Sequence, residues 1–251
     1  MSGHSKWSTI KRKKGAEDAK RGKIFTRVAR EITMAARQGG GDPDLNPALR
    51  LAIEKAKAAN MPKDNIERAI QRGTGEGSEA VDLEKITYEG YAPYGVAVLV
   101  DVVTDNKNRT LAEVKHVFNR HGGNMASVGS VVWQFEQKGL ISVAAERVNF
   151  DELFLLAAEA GAEDVEEEGE NITIYTPREL LADIAQELEN AGYTVEDFEL
   201  TWKPKNELSL SKEETLKVMG VIERLEELDD VQSVSSNLHI TDEALEALTA
   251  A

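Results

Sequence analysis

The chain has 251 residues, 41% of them hydrophobic, and a formal net charge of −15, which allows one large domain or two to three small ones with real apolar cores. No apolar run approaches the roughly 20 residues needed to cross a bilayer, the longest candidate, 95–103, being interrupted by Asp101; no apolar segment follows the N-terminal lysines, so the cytoplasm is the expected compartment. The absence of cysteine removes disulfides and thiolate metal sites, and His4, His116, His121 and His239 are scattered, so no metal or other cofactor is expected.

From Ala16 to Gln38, apolar residues recur at Phe25, Val28, Ile32 and Ala35, one face of a helix. Gly39, Gly40, Gly41, Asp42 and Pro43 end it. Asn46 as cap with Pro47 in the first turn predicts a second helix running to about Asn60. Pro62 opens a third, with Ile66, Ala69 and Ile70 inward and Gly73 as its stop. The stretch 73–78 has linker composition, placing a boundary near residue 80.

Beyond it, strands alternate with helices in four units. The first has a strand at 95–103, a helix at 111–121 and a strand at 128–133. The second has 140–143, a helix at 151–160 and a strand after Ala162. The third has 172–175, a helix at 177–190 and a strand at 195–202, and the fourth 208–210, a helix at 212–228 and a strand at 231–238. Two split βαβ units make a ferredoxin-like domain, so four units predict two such domains. The short connection from Trp133 to Ile141 makes the middle units contiguous and favours nesting. The expected fold is a multidomain α and α+β chain. A three-helix domain (1–80) is followed by a discontinuous α+β domain (81–133 and 202–251) and an inserted acidic α+β domain (134–201).

Residues 1–37 hold eleven Lys and Arg against three Asp and Glu, which leaves the rest of the chain at −23. Between Gln134 and Thr201 there are three basic residues against eighteen acidic ones. On the first helix Lys20, Lys23, Arg27, Arg30, Met34 and Arg37 follow one another at helical spacing, centred about 150° from the apolar stripe, and are expected to face outward. A cationic helix face is often only solvated. Here Glu31 is its one acidic neighbour, and the stretch before it adds Lys6, Trp7, Lys11, Arg12, Lys13 and Lys14, with Arg21 beside the stripe. Lys and Arg neutralise phosphates and Trp7 offers a stacking face, so these residues are the expected nucleic-acid contacts. Asn106, Lys107, Asn108 and Arg109 form a secondary contact before a helix that Thr110 and Glu113 would open as a capping box. Tyr88, Tyr91 and Tyr94 read as hairpin packing. The glycine loops lack the Lys-Ser/Thr of a P-loop. His116 and His121 do not share a helix face and no nucleophile motif accompanies them, so no catalysis is expected.

Several segments together resemble the YebC/PmpR family over nearly the whole chain. They are Gly3-His4-Ser5-Lys6-Trp7, Asp18-Ala19-Lys20-Arg21-Gly22-Lys23, the loop from Gly39 to Pro43, Tyr88-Glu89-Gly90-Tyr91, Asp105-Asn106 with Asn108-Arg109-Thr110, and Gly129-Ser130-Val131. The resemblance implies three domains, the third inserted in the second, and a regulatory role. Members are described as DNA-binding transcriptional regulators. Related proteins are described as translational activators, those of mitochondrial cytochrome oxidase among them, or as ribosome-associated factors that relieve elongation stalls. The implied partner is therefore DNA or ribosomal RNA, with the acidic domains meeting the ribosome or other basic proteins. Where the family usually has Gly-Pro-Gly-Gly, this chain has Ala92-Pro93-Tyr94-Gly95, and Ala126 replaces a usual glycine.

Overall fold

The computed structural model describes residues 18–76, 83–146, 148–168, 171–241 and 243–244, the side chains of 18–21 and 168 excepted. Helices α1 (Asp18–Gly39), α2 (Pro47–Ala58) and α3 (Lys63–Thr74) form the first unit. Val28, Ile32, Ala35 and Ala36 of α1 meet Leu49, Ala52 and Ala56 of α2 and Ile66 and Ala69 of α3. Asn46 starts α2 by accepting from the Leu49 backbone N–H at 3.1 Å, while its Nδ2 donates to the carbonyls of Ala35 and Gly40, both at 2.9 Å. One buried side chain thus caps α2 and ties the glycine loop to the end of α1. A Cβ on Gly39 would stand 2.6 Å from that side chain, so the approach needs glycine.

Gly73 does not stop α3. The helix runs on to Thr74 and Gly75 caps it at φ 79°, the left-handed position glycine serves at a helix end. Gly73 has a packing role: a Cβ there would lie 2.4 Å from the Thr33 carbonyl oxygen of α1. Gly73→Ala is expected to destabilise by about 1–2 kcal/mol, an overpacking cost less the roughly 1 kcal/mol by which alanine favours a helix; urea unfolding measures it.

The first sheet contains β1 (Glu84–Tyr91), β2 (Ala97–Thr104), β3 (Asn124–Met125) and β9 (Val231–Ser236) in the order β3-β1-β2-β9, every neighbouring pair antiparallel. Helices α4 (Lys107–Arg120) and α7 (Lys212–Glu226) cover one face. Every residue of β2 is buried. Val98, Val100 and Val102 pack with Val114, Phe118, Met219 and Ile222 under the helices, and Ala97 and Leu99 pack on the other face with Val131 and Phe135. Two covered faces account for a run that is apolar apart from Asp101 and the terminal Thr104.

The second sheet contains β4 (Phe135–Ala144), β5 (Asp164–Glu168), β6 (Asn171–Thr176) and β7 (Val195–Pro204), with α5 (Phe150–Glu159) and α6 (Leu181–Asn190) packed on it. Its antiparallel order β5-β6-β4-β7 is that of the split βαβ fold. All four strands lie in the chain between β3 and β9, so this layer is inserted in the first. The first sheet keeps the plan of two helices on four antiparallel strands, with the β1–β2 hairpin as its central pair. The short β8 (Leu208–Ser209) pairs in parallel with β10 (Leu238–His239) as a separate ladder.

Three local expectations are corrected. The strand expected at 128–133 is a turn followed by a 3-10 turn, Val132–Gln134, and the short β3 pairs with β1 instead. The physical reason is Glu89, described below, which gathers the backbone N–H groups that a strand would have used. β1 lies outside the four expected units, its EKITYEGY stretch lacking a continuous apolar run. Asn106, not Thr110, caps α4 by accepting from the Arg109 N–H at 3.1 Å; Thr110 lies inside the helix and is fully buried. At the departure from the family pattern, Tyr94 occupies left-handed backbone at φ 63°, a conformation that costs a side chain about 1–2 kcal/mol. Ala126 needs no such conformation.

Candidate nucleic-acid interface

The described cations of the α1 stripe do not stand free as expected: Lys23 and Arg37 are exposed and Arg27 and Arg30 half-buried, but all four donate to other parts of the chain. Lys23 Nζ donates to the Glu227 carbonyl at 2.8 Å and Arg27 to the Glu226 carbonyl at 3.0 Å; Arg30 donates to the Asp229 carbonyl. The Glu226 and Glu227 oxygens close α7, whose last carbonyls have no partner within the helix and which carries the negative end of its dipole there. Two side chains of one helix therefore cap another, 199 and 204 residues away in the chain, and Arg30 holds the turn that follows it. Arg37 donates to the Leu83 carbonyl at 3.0 Å. The first unit is held to the inserted layer by ion pairs, Arg50 on Glu189 at 3.0 Å and Lys55 on Asp197 at 2.5 Å, while Lys55 also pairs with Glu31 of α1 at 2.8 Å within the unit. Burial works against the Lys55 ammonium, but Asp197, Glu31 and Glu199 outweigh it and hold the group well above the ordinary lysine range. Replacing Lys23 and Arg27 together by Gln is expected to destabilise by about 1–2 kcal/mol, the worth of charge-assisted caps on a helix end. Amide exchange in the last turn of α7 reads it, rising in the variant.

Arg30 also joins the two sets of residues expected to touch nucleic acid. It pairs with Asp230 Oδ1 at 2.6 Å, and Arg109 pairs with Asp230 Oδ2 at 2.7 Å. Thr110 and Thr104 donate to the same Oδ2 at 2.5 and 3.0 Å. The Asp230 side chain is 1% exposed. Burial alone would raise its carboxyl; Arg109, the two hydroxyls and the Arg30 charge outweigh it and hold the group below its ordinary value. The loop motif Asp105–Thr110 is thus first a structural node. Lys107 pairs with Glu84, and Asn106 is consumed as the cap. Asn108 is exposed.

Beside this node lies a cleft of about 490 Å³ between α1, the end of α4 and the end of α7, lined by Lys23, His116, Arg120, His121, Arg224 and Glu227 together with Val117 and Leu228. Of the expected contacts among the described residues, only Lys23 reaches it. Arg120 and Arg224 were not singled out in the sequence, yet His116 and Arg120 stand four apart and share a helix face. That spacing is the signal the sequence carries for the cleft; His116 and His121, five apart, do not share it. Lys6, Trp7, Lys11, Arg12, Lys13 and Lys14 lie outside the described residues, as do the side chains of Lys20 and Arg21.

A second motif pair is also explained. Glu89, 5% exposed, accepts from the backbone N–H groups of Gly129, Val131 and Val132 at 2.5, 2.6 and 2.8 Å. Burial opposes its charge, but these three donors prevail and keep the carboxyl below its ordinary range. The Tyr88–Tyr91 segment therefore shapes the Gly129–Val131 turn, and a Cβ on neighbouring Gly90 would strike the Phe118 ring at 2.7 Å.

A helical unit held by its own cations onto two nested α+β layers, with a basic cleft at the junction, describes a multidomain protein. The chain belongs to the TACO1/YebC family. Residues 5–76 match the family model for the TACO1/YebC N-terminal domain, and residues 83–238 the model for its second and third domains. It is 54% identical to a probable transcriptional regulatory protein of Rubrobacter xylanophilus over 98% of both chains. It is 56% identical to one of Acidithiobacillus ferrooxidans over 100% of this chain and 99% of that one. The crystal structure of a conserved hypothetical protein from Aquifex aeolicus matches with a TM-score of 0.82 at 49% identity, covering 90% of this chain and 93% of that one. Among the described residues no helix is long and apolar enough to cross a membrane.

Proposed function

We propose that the chain is a non-enzymatic regulator that grips the phosphate backbone of nucleic acid. Lys6, Lys11, Arg12, Lys13, Lys14, Lys20 and Arg21 supply the charge and Trp7 a stacking face. One observation carries this reading. Lys23, Arg27, Arg30, Arg37, Arg50 and Lys55 each donate to acceptors elsewhere in the chain, so the seven cations of residues 6–21 are additional to those that dock the helical unit. They stand at the head of a chain that carries −23 beyond residue 37. The names of the relatives point to transcription, so duplex DNA is the first target. Replacing Lys11, Arg12, Lys13 and Lys14 by Gln is expected to weaken binding of a labelled duplex at low salt by roughly tenfold or more. Unchanged affinity would remove this segment from the mechanism.

A second reading, a cytoplasmic ribosome-associated factor that contacts ribosomal RNA and relieves elongation stalls, is favoured by one feature of α1. Its Lys23, Arg27 and Arg30 are turned onto the end of α7 and the turn that follows it, so these three cations are committed to docking rather than presented to a groove, and phosphate contacts position a protein without specifying sequence. Acidic surface on the inserted layer would then meet basic ribosomal proteins. Co-sedimentation with ribosomes at physiological salt, without preference for promoter over scrambled duplex in the same buffer, decides for RNA; the reverse decides for DNA.

A further inference from the structure

We propose that the cleft between α1, α4 and α7 is a second phosphate-binding site, taking phosphoryl oxygens of a strand held by the N-terminal cations. The inference rests on the nucleic-acid reading above for the source of the phosphate. The cleft has room for a phosphate with its flanking sugar, at about 490 Å³. Its walls carry three fixed cations, Lys23, Arg120 and Arg224, and the imidazoles of His116 and His121, against one carboxylate, Glu227. In a chain of net charge −15 that balance is a local reversal of sign. Glu227 is already engaged by Arg224 at 2.9 Å. Among the described residues no carboxylate pairs with Arg120, which is exposed at the cleft, whereas the neighbouring Arg30 and Arg109 are both taken by Asp230.

The competing explanation is that Arg120 and Arg224 merely offset two helix ends. The last turns of α4 and α7 each present about half a negative charge. At α7, however, the end carbonyls of Glu226 and Glu227 already accept from Arg27 and Lys23, so Arg224 exceeds what that end requires. Lys23 lies on α1 about one helical turn beyond Lys20, so the cleft and the N-terminal cations are close in sequence. Guanidinium groups present paired N–H donors that match phosphate oxygens, and the imidazole N–H groups add donors of lower charge.

The test uses the full chain and the double variant Arg120→Gln with Arg224→Gln, both positions being exposed. Fluorescence anisotropy with a labelled single-stranded 20-mer, as DNA and as RNA, is paired with calorimetric titration of inorganic pyrophosphate. Loss of two phosphate contacts should weaken oligonucleotide binding by roughly tenfold and make the slope of log K against log salt shallower by about 1.4. The charge-retaining pair Arg120→Lys with Arg224→Lys should keep most of the affinity, which separates binding from folding. Oligonucleotide binding unchanged in affinity and slope, with pyrophosphate binding also unchanged, overturns the site and leaves the N-terminal reading standing. Pyrophosphate binding lost in the Gln variant with oligonucleotide binding intact keeps the cleft as a free-phosphate site and contradicts its use by a strand. A wild-type chain that binds neither probe overturns both.

Discussion

Replacing Asp230 by alanine is expected to destabilise the protein by about 3 kcal/mol, the lower part of the range for breaking a buried charge pair. Two guanidinium groups and two buried hydroxyls converge on this carboxylate, and its removal strands Thr104 and Thr110 without their acceptor. Arg109, 43% exposed, rehydrates, which is why the upper part of the range is not expected. The pH dependence follows from the direction of the shift. The folded carboxyl is held below its ordinary value of 3.8, so its contribution is fully present above that value and is lost as the pH falls through the lower folded value. The stability gap between wild type and Asp230→Asn, measured by denaturant unfolding, should be constant from neutral pH down to the ordinary carboxylate range and shrink in stronger acid. A gap that widened in acid would contradict the assignment.

The second large effect is expected at Glu89. Glu89→Gln keeps one acceptor oxygen for three backbone donors and loses the charge that strengthens each bond, a cost of about 2–4 kcal/mol. The damage should be local as well as global: Gly129, Val131 and Val132 should exchange their amide protons faster than the core of β2, in which all eight residues are buried. Equal change across the molecule would mean that Glu89 has no special hold on this turn. Val131 packs against Ala97 and Leu99 on the second face of the first sheet, so loosening the turn also uncovers β2.

The parts of this molecule that local chemistry decides were legible in the sequence. Asn46 and Pro47 announced α2, the period of Phe25, Val28, Ile32 and Ala35 announced α1, and the alternation of helices with strands announced the nested α+β layers. What could not be read were features whose partners lie far off in the chain. The turn at 128–133 resembled a strand because Val128, Val131 and Val132 are apolar, and nothing local reveals that Glu89, some forty residues earlier, claims its backbone. Thr110 and Glu113 fit a capping box, but Asn106 reached the cap first and left Thr110 to a carboxylate 120 residues away. The basic stripe carried the largest misreading. Its spacing correctly placed the cations on one face of α1, while the destination of that face, the end of α7, depends on tertiary docking that periodicity does not encode. Gly73 was taken for punctuation and is instead a point of close helix contact.

The segregation of charge along the chain therefore serves two ends. Part of the surplus at the N-terminus welds the helical unit to the acidic layers, which lets a chain of −15 hold its basic end in a fixed place. The remainder, the cations of residues 6–21, is the part assigned to nucleic acid, and at physiological ionic strength screening confines the repulsion of acidic surface to about 8 Å.

The most direct measurement of that assignment is the salt dependence of binding of the full chain to a defined 20-base-pair duplex. If about six phosphates are neutralised, the slope of log K against log salt is near −5, and affinity falls on the order of a thousandfold between low and moderate salt. A slope near zero, or no binding at about 50 mM salt, would contradict the account.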